Sequence, residues 1–197
     1  SFWRLEGWLL RRAHIPVVIL PVGGDIWLYS RIIDPSVRYG LLCHYPKQAG
    51  EESRRKRKVD YWVRHADVII GNFLVGDSRL SRWDVTTPQY MVMDLDEWAN
   101  PNTTTLADGV NGQVTILHTP NHRALKGTEF IIDAVDCLVE EGLNVRLELL
   151  EGAQNSLVRE RMHSADIVAD QLILAGYALT ALEGMASGLP VLTNLGN

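Results

Sequence analysis

From residue 114 to residue 192 the chain alternates short β-branched runs with helical stretches. That alternation admits few folds. Runs at 114–117, 145–150, 166–169 and from 190 are too short and too apolar for surface helices, and they predict buried parallel strands. Helices are predicted between them at 128–141, 155–164 and 179–187. The first puts Ile131, Ala134, Val135 and Leu138 on one face, with Thr128 placed to cap it and Gly142 to stop it. A β-α-β-α-β-α-β order predicts a right-handed, doubly wound parallel sheet. Such a sheet binds ligands at the carboxyl ends of its strands. Three loops fall there: 118–127, the segment at Glu151-Gly152, and 169–179.

The first half carries the same signature more weakly. Phe2, Leu5, Trp8, Leu9 and Arg12 recur at helical spacing, predicting an amphipathic helix over 2–14. A strand is predicted at 15–20, buried on both faces and ended by Pro21, followed by a turn at 22–25. A charged helix over 51–65, a strand at 68–70 and a third strand at 89–93 follow. Residues 97–112 hold turn formers and no periodicity, so a linker is expected there. The expected domains are therefore 1–96 and 113–197, with 97–112 between them.

The chain has 197 residues, 46% hydrophobic and 22% charged, a globular composition. Its net charge of −5 gives no support for nucleic-acid binding. Cys43 and Cys137 sit in apolar neighbourhoods without a Cys-x-x-Cys spacing, which predicts two reduced, buried thiols and a reducing, cytoplasmic location. No apolar run is long enough for a membrane span. Asn102-Thr103-Thr104 matches a glycosylation sequon that carries little weight. The run Arg54 to Lys58 is read as a solvated helix face, with Glu51–Arg55 and Glu52–Lys56 as i,i+4 pairs. Its sharper reading is peripheral contact with anionic lipid at the inner membrane face.

The 118–127 loop supplies Arg123 and Lys126 beside a helix start, a combination suited to a diphosphate. The bland reading is a solvated basic loop. The 169–179 loop and the helix after it place Gly176 and Ala178 where a ligand could approach the backbone. Glu183 falls one turn further on, where a carboxylate can accept hydrogen bonds from two neighbouring ribose hydroxyls. Taken alone it is an ordinary first-turn glutamate. His14, His44 and His65 are candidates by residue type only.

These residues together resemble the GT-B glycosyltransferases, specifically glycosyltransferase family 4. That family shows Glu-Gly-Phe-Gly-Leu-Pro-x-x-Glu-Ala-Met-Ala-x-Gly-x-Pro-Val-Val. Gly176, Leu179, Glu183, Met185, Ala186, Gly188, Pro190 and Val191 match it. Lys126-Gly127 and Ala165-Asp166-Ile167 match as well, so ordered matches extend from Lys126 to Val191. In the first half, Gly23-Gly24-Asp25 resembles the Gly-Ser-Asp turn of some members, and 94–98 resembles the segment entering the interdomain linker.

The resemblance implies two Rossmann-like doubly wound domains of GT-B type, both incomplete in this chain. The implied activity is retaining, metal-independent transfer of a sugar from a UDP- or GDP-sugar to a glycan or lipid-linked acceptor. Glu183 would hold the donor ribose and Arg123 with Lys126 the diphosphate. Gly176, Tyr177, Ala178 and Leu179 would line the sugar phosphate. No cofactor is implied beyond the nucleotide sugar itself. Three departures stand out. Ala175 replaces the first motif glutamate, Tyr177-Ala178 replace Phe-Gly, and Asn121 occupies the family's arginine position, with Arg123 two residues on.

Three other readings compete. A nicotinamide-dependent dehydrogenase wants Gly-x-Gly-x-x-Gly after a strand, whereas Gly109-Val110-Asn111-Gly112 precedes one. A kinase wants Gly-Lys-Thr, whereas Lys126-Gly127-Thr128 has the order wrong. A degenerate or truncated domain that binds a nucleotide sugar without turning it over remains the main alternative.

Overall fold

A computed structural model describes residues 2–21, 24, 26–72, 80–87, 91–100 and 107–196. The chain divides into two compact units, Ser1–Tyr90 and Met91–Asn197. Both are α/β with parallel sheets.

In the first unit, helix α1 (Phe2–Arg12) leads to strand β1 (Val18–Ile19). Helices α2 (Pro35–His44), α3 (Pro46–Gly50) and α4 (Glu52–His65) follow, then strands β2 (Val68–Asn72) and β3 (Val85–Thr87). The strand order is β1-β2-β3, all parallel. Helix α2 starts where the sequence allows: Pro35 fits the first turn, and the Asp34 carboxylate accepts from the amides of Ser36 and Val37. Ile26, Val59 and Leu80 form a small core against Trp27, Val63 and Trp83.

Several expectations for this unit change. The strand expected at 15–20 shrinks to two residues, and Val18 is exposed because β1 lies at the sheet edge. The third strand lies at 85–87, not 89–93; residues 91–93 are not strand, and 88–90 lie outside the described residues. The turn at 22–25, with its Gly23-Gly24-Asp25, also falls largely outside them, as does the sequon. The i,i+4 pairs on α4 differ too. Lys56 pairs with Asp60, which also takes Arg31, while Arg55 binds Gln48 and the carbonyls of Gly24 and Trp27. Glu52 turns to the Ser30 amide and hydroxyl.

The second unit contains α5 (Leu95–Trp98), β4 (Val114–His118), α6 (Arg123–Lys126), α7 (Thr128–Glu140) and β5 (Val145–Leu149). It continues through α8 (Asn155–Met162), β6 (Ile167–Ala169), α9 (Leu179–Ala186) and β7 (Val191–Leu192). The parallel order is β5-β4-β6-β7. The chain leaves β4 for β5 on one side and returns to β6 on the other. This is the strand order of a doubly wound sheet, with its switch point between β4 and β6.

Consecutive residues of β4 explain why the strand reads apolar throughout. Ile116 packs with Ile131, Val135 and Ala169 on one face of the sheet, and Leu117 packs with Trp98, Met162 and Val168 on the other. Helix α7 ends as expected, with Gly142 at φ +86° and its amide donating to the Val139 carbonyl. Ile131 and Val135 are buried on its inner face, whereas Ala134 is exposed. Segment 97–112 falls inside this unit: Trp98 is buried in the core, and its carbonyl accepts from the Ser187 hydroxyl at 2.9 Å.

Both thiols are free and exposed, contrary to the expectation of burial. Cys43 and Cys137 each lie two residues, roughly 200° of helical rotation, past a buried core position, Leu41 and Val135 respectively. The buried apolar neighbours, Leu41 and Val135, belong to the opposite helix face, and Leu42 and Val139 are themselves exposed. Among the described residues, no helix is long and apolar enough to cross a membrane.

Candidate functional site

The carboxyl ends of β4 and β6 flank the switch point, and polar side chains gather there against the apolar sheet. His118 ends β4 and is fully buried. Its Nδ1 lies 2.7 Å from the Ala169 carbonyl, an acceptor only, so Nδ1 carries the proton. Nε2 then accepts from the Thr128 hydroxyl at 2.8 Å. Burial, opposed by the Ala169 hydrogen bond, pushes the His118 pKa below the ordinary histidine range, which keeps the ring neutral. Thr128 therefore does not cap α7: it is the first helical residue, and the Gly127 before it provides no side-chain cap.

Asp170 follows β6 directly and is 1% exposed. One of its oxygens takes the Lys126 ammonium at 2.6 Å. The other accepts from the Ala178 amide at 2.8 Å and the Thr193 hydroxyl at 3.4 Å. The β4–α7 and β6–α9 loops are thus tied by a buried ion pair. Backbone bonds from Leu172 to Lys126 and from Leu174 to Leu125 reinforce the tie. Gly127 makes the approach possible. It sits at φ +75°, and a Cβ there would lie 3.2 Å from that of Leu172.

Glu183 lies on α9, 7% exposed, and its carboxylate receives no hydrogen bond among the described residues. Burial first and the Asp170 charge second raise its pKa to about 6, with Lys126 opposing. Lys126 is already balanced by Asp170, so ionised Glu183 is the surplus negative charge of the cluster. A buried carboxylate without donors is costly, and outside donors are what it lacks.

Arg123 is engaged elsewhere. Its guanidinium holds both Glu129 oxygens, at 2.8 and 3.0 Å, and Glu151 at 2.7 Å. This joins the 118–127 loop to the segment at Glu151. Gly176 is also committed: its amide donates to Asn194, and its carbonyl accepts from Gln171 and Thr193. Leu179 and Tyr177 are not buried, and Ala175 is exposed. Of the residues expected from sequence, Lys126 and Glu183 lie by Asp170, which the Ala178 amide also binds, whereas Arg123 pairs with Glu129 and Glu151, and Gly176 with Gln171, Thr193 and Asn194.

The sequence reading missed Asp170, Gln171 and the roles of His118 and Thr128. One signal was available, since Asp170 is the first polar residue after an apolar parallel strand. Among the described residues, no cluster of three or more His, Cys, Asp or Glu is arranged to hold a metal ion. A cavity of about 320 Å³ lies in the first unit, between β1 and α4, with Lys58 as the charged residue in its lining. It borders Pro21, Ile26 and Leu80, next to stretches outside the described residues, and gathers no titratable cluster.

The chain matches no family model, and no curated protein is significantly similar to it in sequence.

Proposed function

We infer that the switch-point crevice of the second unit binds the nucleotide part of a UDP- or GDP-sugar, and that the chain is a GT-B-type glycosyltransferase. One observation carries this reading. Glu183 is a buried carboxylate with no hydrogen-bond donor among the described residues, beside the carboxyl ends of β4 and β6. Two adjacent ribose hydroxyls would supply the donors it lacks, and charge-assisted hydrogen bonds of this kind are among the stronger ones. Lys126 and Arg123 would turn to the diphosphate and so neutralise the leaving group of a retaining, metal-independent transfer. Each would then share or exchange a carboxylate partner.

Calorimetric titration with UDP, GDP and ADP tests the reading, in wild type and Glu183→Ala, with 2′-deoxy and 3′-deoxy analogues alongside. Loss of two charge-assisted bonds weakens binding by at least tenfold. The deoxy analogues lose affinity on wild type and nothing further on the variant, because both changes remove the same contact. Undiminished nucleotide binding by Glu183→Ala would sink the assignment.

Ala175 supports a second reading, a domain that binds the nucleotide sugar without transferring it. A methyl group stands where the family's first motif glutamate falls, and the position is exposed. Nucleotide binding without turnover of any UDP- or GDP-sugar is the outcome that favours it.

A further inference from the structure

Helix α1 presents its apolar face to solvent. Gly7 is its one buried residue, and a Cβ there would meet the Tyr61 ring of α4. Trp3 stacks edge-on against Tyr61, and Arg11 reaches the His65 ring, so the two helices run in the same direction. That contact uses the small and polar side of α1. Phe2, Leu5, Trp8 and Leu9 share the other side and are 91%, 54%, 52% and 51% exposed. Patches of this kind on a water-facing surface mark an interaction site.

Charge indicates what covers it. Arg4 borders the apolar stripe on one side, Arg12 continues it at the C-terminal end of α1, and Glu6, the single carboxylate of the helix, borders it on the other side. The face of α4 that receives α1 at Tyr61 and His65 also carries Arg54, Arg57, Lys58 and Arg64 at helical spacing. None of these four side chains has a salt bridge or hydrogen bond among the described residues, and all four residues are exposed. Residues 1–90 carry 14 Lys and Arg against nine Asp and Glu, a net +5, whereas residues 91–197 carry five against 15, a net −10. The free cations are therefore concentrated beside the apolar helix, in a chain that is acidic as a whole.

We propose that α1 and the cationic face of α4 form one docking surface for an anionic lipid bilayer. Phe2, Leu5, Trp8 and Leu9 enter the headgroup–acyl boundary while the arginines and lysines meet anionic headgroups. An aromatic and leucine stripe bordered by cations is the pattern of a helix lying in the membrane plane. A second copy of the chain fits this face poorly, because pairing it with itself would set the two groups of unpaired cations against each other. The surface lies wholly in the first unit and does not depend on the nucleotide reading.

Co-sedimentation of the 197-residue chain with vesicles tests the proposal. Phosphatidylcholine vesicles are compared with vesicles containing 30 mol% phosphatidylglycerol, a composition in the range of anionic membranes. Wild type binds the anionic vesicles at least tenfold more tightly, and less so as salt rises. Arg54→Gln/Arg57→Gln/Lys58→Gln weakens that binding by about 100-fold, from roughly fivefold per charge near the surface. Leu5→Gln/Leu9→Gln weakens it by at least tenfold through lost apolar insertion. All these positions are exposed, so circular dichroism of both variants matches wild type. Equal binding to both vesicle types, or no binding to either, overturns the proposal. So does a concentration-dependent dimer that Leu5→Gln/Leu9→Gln abolishes while vesicle binding is unchanged.

Discussion

Replacing Glu183 with glutamine removes a charge that the fold does not compensate, while keeping the shape of the side chain. The ordinary glutamate value is 4.5, and the folded value is about 6. At about 1.36 kcal/mol per unit, ionised Glu183 costs the folded state about 2 kcal/mol, roughly 30-fold in the folding equilibrium. The direction follows from proton binding. Between pH 4.5 and 6 the folded chain holds this proton and the unfolded chain has released it. Stability linked to the group is therefore complete below 4.5 and lost as pH rises through 6. Glu183→Gln should match wild type at pH 4.5 and exceed it by about 2 kcal/mol at pH 7 to 8, with the change centred between the two values.

Urea unfolding of both proteins, at half-unit steps from pH 4.5 to 8, reads the difference directly. The depressed His118 pKa adds an opposite trend, since a neutral buried imidazole favours unfolding as pH falls below the ordinary histidine value of 6.5. That contribution is common to both proteins and cancels on subtraction. A difference that is flat across the range refutes the account of Glu183 as an uncompensated buried carboxylate. A variant less stable than wild type at pH 8 refutes it more directly, because it would require a favourable partner for the ionised group.

Two further perturbations probe the frame around it. Asp170→Asn breaks the buried ion pair with Lys126, leaving Glu183 as the remaining carboxylate of the cluster, and should cost about 3–5 kcal/mol in urea unfolding; a variant as stable as wild type would mean that the pair is solvated. Gly184→Ala places a methyl group 3.0 Å from a Val168 methyl carbon and 3.1 Å from one of Val191. Overpacking of α9 on the sheet should cost about 1–3 kcal/mol, with partial recovery when Val168→Ala is added. A neutral single substitution would show that α9 can lift away.

The second unit was legible in the sequence because its strands are covered on both faces. Ile116 and Leu117 feed different clusters, so neither can be polar, and the run stands out. The first unit lacks that redundancy. Its edge strand pairs over two residues, and β3 is Val85-Thr86-Thr87, too short and too polar to show a period. The site divides along a similar line. Glu183 and Lys126 could be found because they sit in an ordered motif. Asp170, His118 and Thr128 could not, because each is a single polar residue whose meaning depends on a partner distant in sequence, 44 residues away for the Lys126–Asp170 pair. Part of the motif turns out to be scaffold. Asp166 anchors the amides of Ala107 and Thr115, and Gly176 is held by Gln171, Thr193 and Asn194.

The charges of the crevice rank the parts of the proposed function. Lys126 and Arg123 face four carboxylates: Asp170, Glu183, Glu129 and Glu151. A diphosphate entering this set adds negative charge to an anionic neighbourhood, so it must draw Arg123 or Lys126 from partners at 2.6 to 2.8 Å. A ribose meets no such obstacle, because its hydroxyls are neutral and Glu183 has no donor to give up. The polyol contact thus breaks no existing hydrogen bond of Glu183, whereas the phosphate contact displaces an ion-pair partner. Arg123 is the more accessible cation: at 37% exposed it can exchange Glu129 or Glu151 for a ligand, whereas Lys126, at 8%, would share Asp170 with it. On this reading Glu183 holds the ribose and Arg123 answers the phosphate.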